Sequence, residues 1–320
     1  MKTVLPTLAK MNERVVIGSR GSKLALAQAQ WALATLSLAQ PALDIQIEVI
    51  KTTGDVKTEP LSIIGGKGVF TKELEEALLD RRIDLAVHSL KDLPTIVPEG
   101  LALAAVSERE DPRDALVLPK GSPPGCESLA DLPSGAVVGT SSPRRLAQAK
   151  YLRPDIEIKE LRGNVDTRLR KLDEGQYDAI ILAAAGLRRL GLGSRITAVI
   201  AADQMIPAVG QGAIGIETRD GDTHAIELAR LLNHELTQLA CTAERALLRA
   251  LGGGCQLPIA AHAVIHDRDL HLVGLVASRD GSQMVREEVA GQRAEPERLG
   301  ATLANRLLGG GAMELLAVGQ

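Results

Sequence analysis

Residues 14–40 read RVVIGSRGSKLALAQAQWALATLSLAQ, a short apolar run followed by a long amphipathic one. Arg14 to Gly18 predicts a strand. Ser22 then offers a side-chain oxygen that can accept a free backbone N–H at a helix N-terminus. Leu24, Trp31 and Leu38 recur at sevenfold spacing and predict the inner face of the helix that follows. A strand feeding directly into a helix is the unit from which α/β layers are built.

The same order repeats outward from this stretch. Ile45 to Lys51 alternates apolar and polar residues as a half-buried strand does. Phe70 to Arg82 predicts a second helix, with Leu74, Ala77 and Leu78 inside, and Leu85 to Val87 a buried strand. Further on, strands are predicted at Ala136 to Gly139, Ile156 to Leu161 and Ala179 to Ala183, and helices at Pro143 to Tyr151 and Val165 to Asp173. Such alternation implies a largely parallel sheet. The C-terminal part differs. Glu235 to Leu251 predicts a helix that stops at Gly252-Gly253-Gly254. His262 to Ile265 and His271 to Ala277 flank the turn residues Asp267-Arg268-Asp269, a hairpin signal. Met284 to Val289 adds a third antiparallel strand and Glu295 to Leu308 a closing helix. A small α+β domain therefore begins after about residue 233. Ser107 to Arg113 and Met205 to Pro207 carry prolines and read as crossings between two larger domains. No internal repeat at a solenoid period is present.

The chain has 320 residues, which suits two or three domains of roughly 100–150 residues each. Aromatic residues are only 1%, so aliphatic side chains must fill the core, and the scarcity argues against a stacking surface for single-stranded nucleic acid. The net charge of −3 argues against a non-specific polyanion binder. Cys126, Cys241 and Cys255 are widely spaced and form no disulfide framework, which points to reduced thiols and a cytoplasmic location. Met1 to Asn12 has no long apolar run, no membrane-spanning stretch is expected, and Met11 is an alternative start.

Four constellations can carry chemistry. His88-Ser89-Leu90-Lys91-Asp92 follows an apolar strand, where ligands sit in α/β sheets. Asp92 either manages charge and protons there or caps a turn before Pro94 with Lys91 as its surface partner. Arg20, Arg144, Arg145, Arg162, Arg168 and Arg189 each lie near the end of a predicted strand. Thr140-Ser141-Ser142 supplies hydroxyls and N–H groups at a helix start, a ready anion site. Guanidinium forks bind carboxylates bidentately. Six at equivalent strand ends suggest a cleft for a polycarboxylate, against the alternative of solvated helix faces. Gly65-Gly66-Lys67-Gly68-Val69-Phe70 lacks P-loop spacing and reads as a mobile loop or a simple connection. Gly252-Gly253-Gly254-Cys255-Gln256 places a thiol on poorly shielded backbone, suited to reaching a ligand or to filling a turn. The six histidines show no metal-ligand spacing, and none of the cysteines supplies one.

Taken together and in order, these motifs resemble the porphobilinogen deaminase family. The resemblance rests on Ile17 to Ser22, Gly65 to Phe70, His88 to Asp92, Arg109 to Asp114, Gly139 to Arg145, Leu161 to Val165, Pro207 to Gly212 and Gly253 to Gln256. It implies an enzyme that joins four porphobilinogen molecules head to tail with release of ammonia. Water then releases hydroxymethylbilane, which feeds tetrapyrrole and heme biosynthesis. The implied cofactor is a dipyrromethane held by a thioether at Cys255, and the implied charge-managing carboxylate is Asp92. The six arginines match carboxylate binders. Ser22, Lys91, Thr140, Ser142 and Gln211 match other cofactor or substrate positions, and Asp55 matches an acidic cofactor contact. Lys67 and Phe70 lie on the family's active-site loop. Ile63 stands where many members have lysine, and Lys23 and Pro143 also depart from the common residues.

The implied fold is α/β with three domains, two of them like type II periplasmic binding proteins with mixed, mostly parallel sheets, plus a small α+β C-terminal domain. Their expected bounds are 13–107 with 212–232, 113–206, and 233–320. A monomer without metal, nucleic-acid or membrane partners is expected. The competing reading is a non-catalytic polycarboxylate-binding protein of the same fold.

Overall fold

The computed structural model describes residues 14–56, 68–254 and 256–317, without the side chains of residues 55 and 56. The expectations for Met11, Ile63, Lys67, Cys255 and the Asp55 side chain lie outside the described residues.

Thirteen strands are described: β1 Arg14–Arg20, β2 Asp44–Ile50, β3 Leu85–Ser89, β4 Leu101–Val106, β5 Asp114–Val117, β6 Val137–Gly139, β7 Glu157–Lys159, β8 Ala179–Ala183, β9 Ala198–Val199, β10 Ile214–Arg219, β11 Ile259–His266, β12 Asp269–Ala277 and β13 Met284–Gln292. They form sheets of order β2-β1-β3-β10-β4, β7-β6-β8-β5-β9 and β11-β12-β13. In the first, β1 runs parallel to β2 and β3, and β10 is antiparallel to β3 and β4. In the second, β6 runs parallel to β7 and β8, and β5 is antiparallel to β8 and β9. The two sheets thus share one plan of three parallel strands followed by an inverted strand and an antiparallel edge. The third is an antiparallel meander, with Asp267 at φ 53 in the hairpin turn.

The inverted strand of each larger sheet arrives by a crossing. β5 follows the segment Ser107 to Arg113, and β10 follows Ile206 to Ala213. The two crossings bond to each other: Ser107 N–H donates to Ile214 O at 2.9 Å and Glu110 N–H to Gly212 O at 3.1 Å. Two glycines make this approach possible. Gly212 sits at φ +92, and a Cβ there would meet Glu110 O at 2.2 Å. Gly210 sits at φ +69, and a Cβ there would meet Leu90 Cγ at 2.9 Å. Both conformations are in the left-handed region that glycine tolerates.

Local chemistry explains most elements. The helix Lys23–Ala39 is capped by Ser22, whose hydroxyl accepts the Ala25 N–H at 3.2 Å. Its buried face differs from the expectation. Ala25, Gln28, Ala29, Ala32 and Leu36 face the sheet, whereas Leu38 is 85% exposed and Leu24 and Trp31 are half-buried. Small alanines let the helix lie close to β1, so the larger residues at sevenfold spacing fall at the edges of the contact. The second helix is Lys72–Leu79, shorter than expected, with Leu74, Ala77 and Leu78 buried as anticipated. Arg81, at φ 59, stops it, and Phe70 lies in the turn before it. The expected strand at 156–161 is only Glu157–Lys159. Strands β4, β5, β9 and β10 and the helices Ala184–Arg189 and Thr223–Arg230 were absent from the sequence expectations.

In the C-terminal unit, the helices Glu235–Ala250 and Pro296–Gly309 pack on the meander. Leu247, Leu270, Leu272, Leu303 and Leu307 are fully buried between them. Each such burial contributes about 1.5–3 kcal/mol, which fixes the helix that runs into Gly252-Gly253-Gly254.

Candidate functional site

The carboxyl ends of the parallel strands in both large sheets face one cleft of about 1390 Å³. From the first sheet, β1 delivers Arg20 and Ser22, and β3 delivers Lys91 and Asp92 on the 3-10 turn Leu90–Asp92. From the second, β6 leads to Ser142, Arg144 and Arg145 at the start of the helix Pro143–Leu152. The loop after β7 and its helix Val165–Asp173 supply Arg162 and Arg168, and β8 leads to Arg189. Gln211 enters from the second crossing and Phe70 from the turn before the second helix. Gly254 and Leu257, on either side of residue 255, line the same cleft.

The arginines divide into two kinds. Arg144 and Arg145 are buried and converge on Asp114 at the start of β5. Arg144 donates to Asp114 at 2.7 Å and to Ile206 O at 2.8 Å, while Arg145 donates to Asp114 at 2.8 and 3.0 Å. Burial works to raise the Asp114 pKa, but the two guanidiniums outweigh it and hold the carboxyl well below its usual range. Gln211 completes the network, donating to Asp114 at 2.9 Å and Pro112 O at 2.7 Å and accepting from Lys91 Nζ at 3.4 Å. Arg144 thus has both terminal nitrogens engaged within the protein, while its Nε is buried without a partner and its side chain still lines the cleft. Thr140 is buried and is not among the cleft-lining residues; its hydroxyl accepts the Ser142 N–H at 3.2 Å.

The second kind faces the cleft. Arg20 lies 4.2 Å above the centre of the Phe70 ring, a cation–π contact that ties the loop residue to the wall. Arg168 donates to Gly163 O at 2.7 Å and Arg189 to Gly212 O at 2.6 Å. Arg162 pairs with Glu160. Burial and the neighbouring Arg145 charge push Lys91 down to about 8 and Arg168 down to about 10, with Asp92 opposing both shifts. Burial also lowers Arg189. Cations that depress one another in this way are crowded, and anions entering the cleft relieve that repulsion.

Asp114 carries no role in the sequence reading, although its segment was singled out. The only signal was an acidic residue opening the apolar run that becomes β5. Of the remaining cysteines, Cys241 is fully buried and burial pushes its thiol up to about 12, whereas Cys126 is half-buried. Among the described residues, no group of three or more His, Cys, Asp or Glu is placed to hold a metal ion, and no helix is long and apolar enough to cross a membrane.

Comparison with known proteins names the architecture. Residues 15–227 match the family model of the porphobilinogen deaminase dipyrromethane cofactor binding domain, and residues 238–309 match that of the porphobilinogen deaminase C-terminal domain. The chain belongs to the porphobilinogen deaminase family. Curated relatives named porphobilinogen deaminase include those of Syntrophotalea carbinolica, 50% identical over 94% of each chain, and Desulforudis audaxviator, 52% identical over 96% of this chain and 98% of the relative. That of Gloeobacter violaceus is 51% identical over 96% of this chain and 94% of the relative. Among solved structures, a periplasmic substrate-binding protein of a Coxiella burnetii ABC transporter is similar over 68% of this chain, with 16% identity and a TM-score of 0.42.

Proposed function

We propose that this cleft condenses four porphobilinogen molecules head to tail, releasing ammonia at each step, and then releases hydroxymethylbilane by hydrolysis. The observation that carries the reading is the lining of the cleft: Asp92 lies among crowded cations, the other lining carboxylates Asp166, Asp173 and Glu174 each pair with a cation, and Gly254 and Leu257, either side of residue 255, share the lining.

The lining fits a dipyrromethane, because each pyrrole unit bears an acetate and a propionate, and Arg20, Lys91, Arg144, Arg145, Arg162, Arg168 and Arg189 bring positive charge to meet them. When bound, the group supplies a pyrrole carbon onto which the first substrate is joined. Its proposed anchor is a thioether at Cys255, which follows three glycines in the sequence. Asp55 and the Lys67 loop belong to the same proposal.

Loss of ammonia from the aminomethyl group of porphobilinogen leaves a cationic azafulvene. Asp92 would stabilise that cation electrostatically and accept or return the proton that moves with ammonia departure. Ser22 and Ser142 present hydroxyls at two helix starts, where backbone N–H groups also favour anions. Gln211 holds Lys91 against the Asp114 hub, so the ammonium faces the cleft beside Asp92.

The proposed domains are 13–107 with 212–232, 113–206, and 233–320: the first holding Asp92, the second the arginines, the third Cys255. The protein would act in the cytoplasm as a monomer, with porphobilinogen as its small-molecule partner and no nucleic acid or membrane. The test is intact mass. Chain purified from cells able to make porphobilinogen should carry two pyrrole units, and Cys255→Ser should lack them. An apoprotein mass for the unmodified sequence would overturn the reading; an unchanged adduct on Cys255→Ser would move the anchor elsewhere.

A further inference from the structure

The turn bearing Asp92 is held from one side by the first sheet. Leu90 N–H donates to Ala213 O at 3.0 Å and Leu93 N–H to Leu90 O at 3.1 Å. On the other side the chain leaves through the carbonyls of Leu93 and Pro94. Both accept from one side chain of the C-terminal unit: Arg245 donates to Leu93 O at 3.1 Å and to Pro94 O at 2.6 Å. Arg245 is buried on the helix Glu235–Ala250, the same helix that runs on into Gly252-Gly253-Gly254. Leu248, one turn further along, lines the cleft with Gly254 and Leu257.

The preceding residue, Glu244, grips a different part. Its carboxylate accepts from Arg109 at 2.6 Å, from Gly210 N–H at 2.7 Å and from Ala263 N–H at 2.8 Å, tying both crossings and β11 to the helix. Adjacent positions of one helix thus reach the crossings and the backbone just after Asp92. A fork with two parallel donors fixes two carbonyls in angle as well as distance, which a single flexible donor cannot do.

We propose that Arg245 is a positioning residue for Asp92: it mounts the 90–94 turn on the helix that runs on into Gly252-Gly253-Gly254, so the carboxylate keeps its place relative to the Gly254 and Leu257 side of the cleft. This rests on the assignment of Asp92 and Cys255 above. The distance that matters to chemistry is therefore set by a helix outside the sheet that carries the acid, and a misplacement of about 1 Å is enough to cost about 10²-fold in rate.

The experiment uses the full chain, loaded with cofactor, carrying Arg245→Met or Arg245→Lys. Cofactor mass and KM should stay close to those of the parent, with KM within about threefold, while kcat falls about 10²-fold in Arg245→Met and recovers to within about tenfold in Arg245→Lys. Unchanged kcat in Arg245→Met, or losses of kcat and KM that merely follow the unfolded fraction, would overturn the proposal. If Arg245→Met does not fold, Arg245→Lys decides alone: parental kcat rejects the fork, and reduced kcat at parental KM supports it. In an Asp92→Asn background, Arg245→Met should leave the residual single-turnover rate unchanged, because the two act through one group; additive losses would overturn the coupling. High turnover in Asp92→Asn alone would instead sink the Asp92 assignment.

Discussion

The two large sheets have the same strand plan and send different side chains to the cleft. In the first, the third parallel strand, β3, ends in a 3-10 turn that puts Lys91 and Asp92 at the cleft. In the second, the equivalent strand, β8, runs into the helix Ala184–Arg189 and delivers a guanidinium. The first parallel strand of each sheet leads to a serine-capped helix, at Ser22 and Ser142. One scaffold thus sets Asp92 beside Arg20 and Lys91 on one wall and Arg145, Arg162, Arg168 and Arg189 on the other, and the difference lies in a few residues after each strand. The cationic wall is itself heterogeneous, because Arg144 and Arg145 share Asp114 while Arg162, Arg168 and Arg189 face the cleft.

The sharpest way to break this contrast is to neutralise the acid. Asp92→Asn should fold normally, with an unchanged melting temperature, and lower kcat by about 10²–10⁴-fold. Near-parental product formation would show that the two walls do not divide the work as described.

Next comes the hub of the cationic wall. Asp114→Asn leaves two buried guanidiniums without their carboxylate, and should cost about 3–5 kcal/mol in denaturant unfolding. The native carboxyl is held low, so its contribution is present above the ordinary value of about 3.9 and is lost as pH falls below it. The acid-side loss of stability should shrink in the variant.

A smaller effect separates Lys91 from the arginines. Burial lowers Lys91 to about 8, so its ammonium is charged below that pH and neutral above it. KM for porphobilinogen should therefore rise as pH passes upward through about 8, and Lys91→Met should remove that inflection. The same depressed pKa means that protonated Lys91 opposes folding below about 8, an opposition relieved as pH rises. A flat KM profile would assign the carboxylate grip to arginines alone.

The smallest effect concerns the contact between the walls. Lys23 pairs with Asp166 at 3.2 Å, but both side chains are largely exposed. Lys23→Ala should change stability by no more than about 1 kcal/mol and leave kcat within about twofold, as expected of screened pairs. A large loss would mean that the contact holds the walls together.

The parts legible in the sequence were those with local causes. Ser22 and Ser142 announce helix starts, Asp267-Arg268-Asp269 announces a hairpin, and Ala179 to Ala183 announces a buried strand. The ordered motifs then brought the cleft residues into view. What stayed hidden depends on partners distant in the chain. β10 is recognisable only because β3 and β4 flank it, and Asp114 only because Arg144 and Arg145 sit 30 and 31 residues away. The buried face of the first helix was misread for the same reason: closeness to the sheet favoured Ala25, Ala29 and Ala32 over the bulkier Leu38. Arg245 reaches carbonyls 152 and 151 residues away, a separation that no local pattern encodes.

The burial of Cys241 has a practical consequence for thiol counting. A fully enclosed sulfhydryl shifted up to about 12 is almost wholly protonated near neutral pH, so it resists alkylating reagents in the native chain. Under the proposed attachment at Cys255, native labelling is confined to Cys126 and to whatever fraction of Cys255 carries no cofactor. Iodoacetamide uptake before and after unfolding therefore gives an occupancy assay for the proposed anchor, with Cys241 as its internal standard.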